Sequence, residues 1–490
     1  MHIPSLKVQH LHFIGIGGIG MSGIAEVLHN LGYRVKGSDI AENYNTKRLQ
    51  ELGVDIIIGH QSGNIQGAQV VVVSSDIPSN NIEVLTARKL GVPVIRRAEM
   101  LAELMRLKKA IAISGTHGKT TTTSMAAALL DAADMDPTVI NGGIINAYHT
   151  NARLGTGEWT VVEADESDGS FTKLPATIAI VTNIDPEHME FYGTVEALHQ
   201  AFLKFISNIP FYGLAVLCAD HPTVMSLLSS IKDRRFVTYG FDESAMVRAT
   251  NLRQAINGTT FDVEIARPLP LAAALQNSDS SIKPLPRKIK DIFLPMVGRH
   301  NIQNALSIIA VADELELDES IIRQAFNTFK GVKRRFTCVG VVNDVTVIDD
   351  YAHHPVEIKT VIDAAKQATQ GRIWVVKQPH RYSRLHHLFE DFSHSFYGAH
   401  HVILAPVYGA NEEPIPEANS EKLAKALQQN NVQTTLIYNP EELAPLLNNL
   451  VLPGDMILCL GAGNITQWAA ALVDQLSSLE PSVISKEQVI

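Results

Sequence analysis

The chain has 490 residues, 46% of them apolar and 19% charged, which is enough to bury about three domain cores without disulfide or metal staples. Its 41 basic and 51 acidic residues leave a net charge of −10, which argues against duplex DNA or an anionic membrane surface as the main partner but leaves room for a local basic pocket. The longest aliphatic run, Val70 to Val73, is far short of the roughly 18 residues of a membrane span. The N-terminus reads as strand and glycine loop rather than signal peptide, and Cys218, Cys338 and Cys459 read as buried free thiols in a reducing cytosol.

In chain order, residues 11–17 form a strand pattern, 19–31 a helix ending at Gly32, and 33–39, 54–59, 70–75 and 92–100 further strands. Alternation of this kind predicts a doubly wound parallel sheet. Residues 107–109 read as a linker, and 109–130 as strand, glycine loop and Ala-rich helix. Strands follow at 160–165, 177–184 and 213–220, an antiparallel-type strand at 261–266, and a Pro- and Ser-rich insertion at 267–288 that reads as a mobile hairpin. Helices are expected over 302–316 and 319–329. Beyond residue 331, strand patterns recur at 346–355, 371–384, 399–408, 433–439 and 455–463, again α/β, and the tail from Glu480 reads as frayed.

Gly15, Gly17, Gly18 and Gly20 match G-x-G-x-x-G between a strand and a helix, with Asp39 at the end of the next strand. Such glycines let backbone N–H groups approach a diphosphate, and the acid can hold a ribose hydroxyl. The nucleotide itself is left open. The second loop, Gly115-Thr116-His117-Gly118-Lys119-Thr120-Thr121, is a shortened P-loop. Its backbone would wrap the phosphates of ATP, Lys119 would reach the β/γ oxygens, and Thr120 would ligate Mg²⁺. Acids at 163–168 and the segment Thr182 to Met189 follow strands of the same region, so an acid of the 163–168 run is a candidate second anchor for Mg²⁺ and His188 a candidate for a metal or substrate role. Asn301 and Asn304 share a helix face suited to a base or ribose, although capping alone could account for Asn301. In the last region Arg334-Arg335, Asp349 to Pro355 and Gln378 to Arg384 lie at strand ends of one parallel sheet, the edge where ligands bind. If the last of these turns enters a helix, Arg381 and Arg384 share a face suited to a carboxylate. The pairs His386-His387 and His400-His401 read as solvated.

These segments, in this order, resemble the Mur ligase family: GIGGIGMSG, GSD, GTHGKTTTT, NGG, EADESD, TNIDPEHM, GRHNIQNA, RRF, DDYAHHP, QPHRYSR and GAGNI. Within the family, GIGGIGMSG with DDYAHHP and PHRYSR points to the alanine-adding member. The resemblance implies two Rossmann-like domains flanking a central P-loop ATPase: residues 1–107 for the UDP-sugar, 108–330 for ATP and 331–490 for the amino acid. It implies ATP-dependent ligation of L-alanine to the carboxylate of UDP-N-acetylmuramate through an acyl phosphate, with Mg²⁺ or Mn²⁺, in the bacterial cytoplasm, serving cell-wall synthesis, cell shape and division. A ligase of the same family that recycles murein peptide is the alternative. Carried over by position, Lys119, Thr120, Asn301, Asn304, Arg335 and Asp350 are ATP-side residues, and Thr120, Glu163 and His188 hold metal. Gly15, Gly17, Gly18, Gly20 and Asp39 bind the UDP-sugar, and Tyr351, His353, His380, Arg381 and Arg384 line the amino-acid and sugar-carboxylate site. Lys119, His188, Arg381 and Arg384 are the expected catalytic residues. Lys377 departs from the pattern, standing where an apolar residue is expected before QPHRY.

Overall fold

A computed structural model describes residues 9–255, 258–266, 287–410 and 412–479. Most of the Pro-rich insertion and the tail from Glu480 lie outside these residues. Three sheets organise the chain. The first has five parallel strands in the spatial order Asp55–Ile58, Arg34–Asp39, His10–Ile14, Val70–Val73, Val94–Arg96. The order reverses beside His10–Ile14, so the loop leaving that strand opens at a topological switch point. Phe13, Ile14, Val71 and Val72 are fully buried, as expected of strands covered on both faces.

The second sheet has ten strands, with Lys109–Ser114 between Ile178–Val181 and Trp159–Glu163 near its middle. The third has six, with Val345–Asp350, Met456–Leu460 and Ile373–Lys377 adjacent and parallel, and an antiparallel edge strand, Thr337–Val342. The chain packs as two compact units. One carries the first two sheets and ends at Val332; the other carries the third sheet from Lys333, with Arg253–Thr259 and Pro295–His300. In the first unit a single apolar cluster runs from Phe13 and Ile24 through Ala112 to Phe171 and Phe202. Gly23 keeps the helix Ile19–Asn30 close to the second sheet, since a Cβ there would lie 3.0 Å from Asn151 and 3.1 Å from Ala152.

Several local expectations are corrected. Residues 92–100 hold only a short strand, Val94–Arg96; the helix Arg97–Met105 follows, because Glu99 caps the Arg96 N–H and Ala98, Leu101, Ala102 and Met105 make a buried stripe. Lys109 is the first residue of a strand, not linker. The helix expected from 302 starts at Arg299 and ends at Glu314, so Asn301 lies in its first turn. Cys338 is exposed, because it sits on the edge strand of the third sheet. His401 is not simply solvated: its ring stacks on Trp374 at 5.4 Å, and its Nε2 lies 2.8 Å from the Thr435 hydroxyl.

Candidate active site

The phosphate loop leaves Lys109–Ser114 and enters the helix Lys119–Ala132. Gly115 and Gly118 have φ of +132° and +84°, where side chains are strained. Neither has room for one: a Cβ on Gly115 would lie 2.1 Å from Thr182 Oγ1, and on Gly118 2.8 Å from Asn304 Oδ1. The turn after Ile178–Val181 wires the loop in place. Thr182 Oγ1 and Asn183 Nδ2 donate to the His117 carbonyl at 2.6 and 3.0 Å, Asn183 Oδ1 accepts the His117 N–H at 2.7 Å, and Asp185 N–H reaches Thr116 Oγ1 at 2.8 Å. Asp185 also sits 3.6 Å from His117 and 3.3 Å from His221. Thr120 and Thr121 are buried in the first helical turn, and Asn301 and Asn304 are buried on the helix that abuts Gly118.

Lys119 is the charge of this loop. Its ammonium donates to the Gly115 and Thr116 carbonyls at 2.6 and 3.0 Å and pairs with Glu166 at 2.8 Å. Burial disfavours the ammonium, but Glu166, Glu163 and Asp165 outweigh it and its pKa is raised. Glu166 is 2% exposed, and burial lifts its pKa to about 7 in spite of Lys119. Among the described residues Glu166, Glu187 and His188 form a group whose ligand atoms all lie within 4.8 Å of one another. Hard oxygens beside one imidazole suit a small divalent cation. Glu163 takes a neighbouring place: its carboxylate accepts the Gly142 N–H at 2.9 Å, and a Cβ on Gly142 would meet it at 2.4 Å. Thr120 faces the next residue, Gly143, with Cγ2 2.8 Å from a Cβ placed there. The NGG segment thus lets Glu163 and Thr120 close around its backbone. The two glycines, the buried ammonium of Lys119 and the helix N-terminus together make a phosphate cradle, so the loop fits the phosphates of a nucleotide and the acids beside it fit a divalent metal.

At the first sheet, Gly15 has φ +78° and Gly18 precedes the helix. Asp39 Oδ2 accepts the Gly17 N–H at 2.8 Å, while Asn45 and Asn43 donate to the Gly17 carbonyl at 2.8 and 3.3 Å. The acid expected to hold a ribose is therefore already engaged in shaping the loop. Gly20 lies against Arg97, whose guanidinium pairs with Asp165 at 3.1 Å.

In the second unit three strand ends converge. Arg334 donates to the Gly461, Ala462 and Gly463 carbonyls and lies 4.8 Å from the Tyr351 ring; Arg335 lies 5.4 Å from the same ring. The Asp350 carboxylate accepts Phe336 and Ala352 N–H groups at 2.7 and 2.8 Å, and burial pushes its pKa up to about 6 against the pull of Arg335. His353 Nδ1 lies 3.0 Å from the Tyr351 carbonyl, and burial holds its ring far below the usual imidazole range. His380 stacks on Tyr408 at 5.7 Å and takes Arg384 Nη1 on Nδ1 at 3.3 Å; burial, then Arg384 and Arg381, lower its pKa to about 4. Neutral His380 is thus the acceptor. Arg381 is exposed and left-handed, φ +68°, outside the helix Tyr382–His387. Arg384 lies inside that helix, so the expectation of two helical arginines three apart does not hold.

Some residues of these clusters carry no sequence signal. His221 is a lone histidine after a strand, and nothing in its spacing ties it to Asp185. Glu166 and Glu187 lie in acidic runs where the pattern does not tell one carboxylate from the next.

The chain is similar to known proteins along almost its whole length. Residues 10–109 match the Mur ligase family, catalytic domain, residues 113–312 the Mur ligase middle domain, and residues 334–463 the Mur ligase, glutamate ligase domain. A UDP-N-acetylmuramate–L-alanine ligase of Paramagnetospirillum magneticum is 56% identical over 98% of this chain and 99% of its own length. One of Rhodospirillum rubrum is 53% identical over 98% and 97%. The crystal structure of a UDP-N-acetylmuramate-alanine ligase from Thermotoga maritima superposes with a TM-score of 0.76 at 28% identity, covering 96% of this chain and 99% of that one. A murein peptide ligase from Psychrobacter arcticus, at 23% identity and TM-score 0.68 over 96% of this chain and 99% of its own, shares the fold.

Proposed function

This chain belongs to the Mur ligase family, and we propose that it joins the carboxylate of UDP-N-acetylmuramate to the amine of L-alanine with conversion of ATP to ADP and phosphate. The observation that carries the reading is identity above 50% to alanine-adding ligases along almost the whole of both chains. It favours alanine over the peptide-recycling reaction, two solved examples of which are 23% and 26% identical.

The muramyl carboxylate attacks the γ-phosphorus, giving an acyl phosphate and ADP. The neutral amine of alanine attacks the acyl carbon, and the tetrahedral intermediate expels phosphate. Lys119 and the N–H groups of the loop from Gly115 to Thr121 hold the phosphates and offset charge on the transferring group. Thr120, Glu163 and His188, with Glu166 and Glu187 beside them, would hold Mg²⁺ or Mn²⁺, which supplies Lewis-acid polarisation of the phosphoryl oxygens. Asn301, Asn304, Arg335 and Asp350 are assigned to the nucleotide, and the loop at Gly15 to Gly20, shaped by Asp39, to the UDP-sugar. Tyr351, His353, His380, Arg381 and Arg384 are assigned to the alanine and the sugar carboxylate, with Arg384 and neutral His380 as a coupled pair. The reaction belongs to peptidoglycan precursor synthesis in the bacterial cytoplasm, and so to cell shape and division.

The test is ADP release from ATP, Mg²⁺ and UDP-N-acetylmuramate with a panel of amino acids and with murein tripeptide. Release that depends on L-alanine is expected. Release with tripeptide alone, or calorimetric binding of NAD(P)H in place of the UDP-sugar, overturns the reading.

A further inference from the structure

Lys377 ends the strand Ile373–Lys377, paired with Leu404 on one side and Leu460 on the other, and is 0% exposed. An ammonium costs several kcal/mol to bury, so it is not an idle filler of a core position. Its Nζ donates to the Ala352 carbonyl at 2.9 Å, in the middle of the turn that carries Tyr351 and His353. The next residues in the chain, Gln378 to Arg384, form the facing turn. Its ionisable neighbours are Asp350, Glu357 and Arg384, and its charge acts on His353 and His380. Glu357 in turn accepts the N–H groups of His353 and His354 at 2.9 and 3.1 Å.

We propose that Lys377 is a positioning residue for the amino-acid site, whose buried ammonium ties the 350–355 turn to the root of the 378–384 turn. The proposal rests on the assignment of those two turns to alanine and the sugar carboxylate. Fully enclosed and spent on the Ala352 carbonyl, Lys377 touches no substrate. It acts in two ways. The hydrogen bond sets where Tyr351 and His353 stand. The charge adds to burial and Arg384 in disfavouring a proton on His353 and His380, and a neutral His380 is what accepts Arg384. Burial, offset by Glu357 and reinforced by Arg384, brings the lysine's own pKa down to about 7, so its charge is responsive near neutrality.

The experiment compares wild type, K377M and K377Q in the full chain by thermal melting, by KM for L-alanine and for ATP, and by the pH profile of kcat/KM for alanine. K377M should melt near the wild type, raise the KM for alanine about tenfold, the scale of one lost charge-assisted hydrogen bond, and leave the KM for ATP within about twofold. The acid limb of its profile should move up, because His353 and His380 take a proton more readily without the neighbouring cation. K377Q, a neutral donor, should recover part of the KM while keeping the displaced limb. Unchanged alanine kinetics and acid limb in K377M, or an equal rise in both KM values, overturn the proposal. Should K377M not fold, the acid limb of K377Q decides: an undisplaced limb overturns it. Wild type inactive with L-alanine but active with tripeptide overturns the substrate reading instead.

Discussion

Replacing Lys119 by alanine removes the ammonium that the phosphate loop is built around. The structure allows both consequences to be estimated. For the reaction, the loss is one preorganised charge at the transferring phosphoryl group, about 10²–10⁴ in kcat. For the fold, the loss leaves Glu166 buried at 2% exposure without the partner 2.8 Å away. Breaking a buried pair costs about 3–5 kcal/mol when the remaining charge stays ionised. Here it need not, because the Glu166 pKa already stands at about 7 with Lys119 present. Without the lysine Glu166 rises further and takes up a proton at neutral pH, so the penalty should fall to about 1–2 kcal/mol. K119A should therefore be folded, modestly destabilised and nearly inactive, and less destabilised at pH 6 than at pH 8. Coupled ADP-release kinetics and urea denaturation at the two pH values measure this. A folded variant with near-normal turnover refutes the assignment of the loop; a destabilisation independent of pH refutes the account of Glu166.

Glu83 supports the first sheet from inside: its carboxylate, fully buried, meets His12 at 2.7 Å, Ser38 at 2.7 Å and Asn64 at 2.7 Å, and these bonds outweigh burial to hold its pKa at about 2. A folded pKa below the unfolded value contributes stability that is present above about pH 4.5 and lost as pH falls toward 2, so E83Q should cost on the order of 3 kcal/mol at pH 7 and far less at pH 3 in denaturant titrations. Gly142→Ala places a Cβ 2.4 Å from the Glu163 carboxylate, so activity titrated with Mg²⁺ should need several-fold more metal, while an unaltered requirement removes Glu163 from the metal site. Arg384→Lys loses the planar fork that reaches His380 and should raise the KM for L-alanine by about tenfold with little change for ATP; an effect on ATP alone would reassign the turn.

Short glycine loops between a buried strand and a helix were legible from residue order alone, because glycine takes the positive-φ backbone at Gly15, Gly115 and Gly118 without the strain a side chain adds. The parallel strands were legible for a similar reason: a strand covered on both faces must be apolar throughout, as Val70 to Val73 is. The helix Lys119–Ala132 was legible as well, from the glycine loop before it and the alanines within it, although its threonines Thr120 to Thr123, all buried, are poor helix formers. Where local preference and tertiary contact disagree, the sequence is mute. The helix Arg97–Met105 was hidden within a strand pattern until Glu99 and its buried stripe acted together. The chemistry divides along the same line. Residue type and spacing mark Lys119, His188 and Arg384 as candidate site residues, since few other side chains could serve. Which carboxylate stands beside His188, that Asp39 serves Gly17, and that Lys377 lies under Ala352 depend on contacts between residues that adjoin only in the folded chain. Burial, which sets the protonation of Glu166, Asp350 and His380, exists only once those contacts are made.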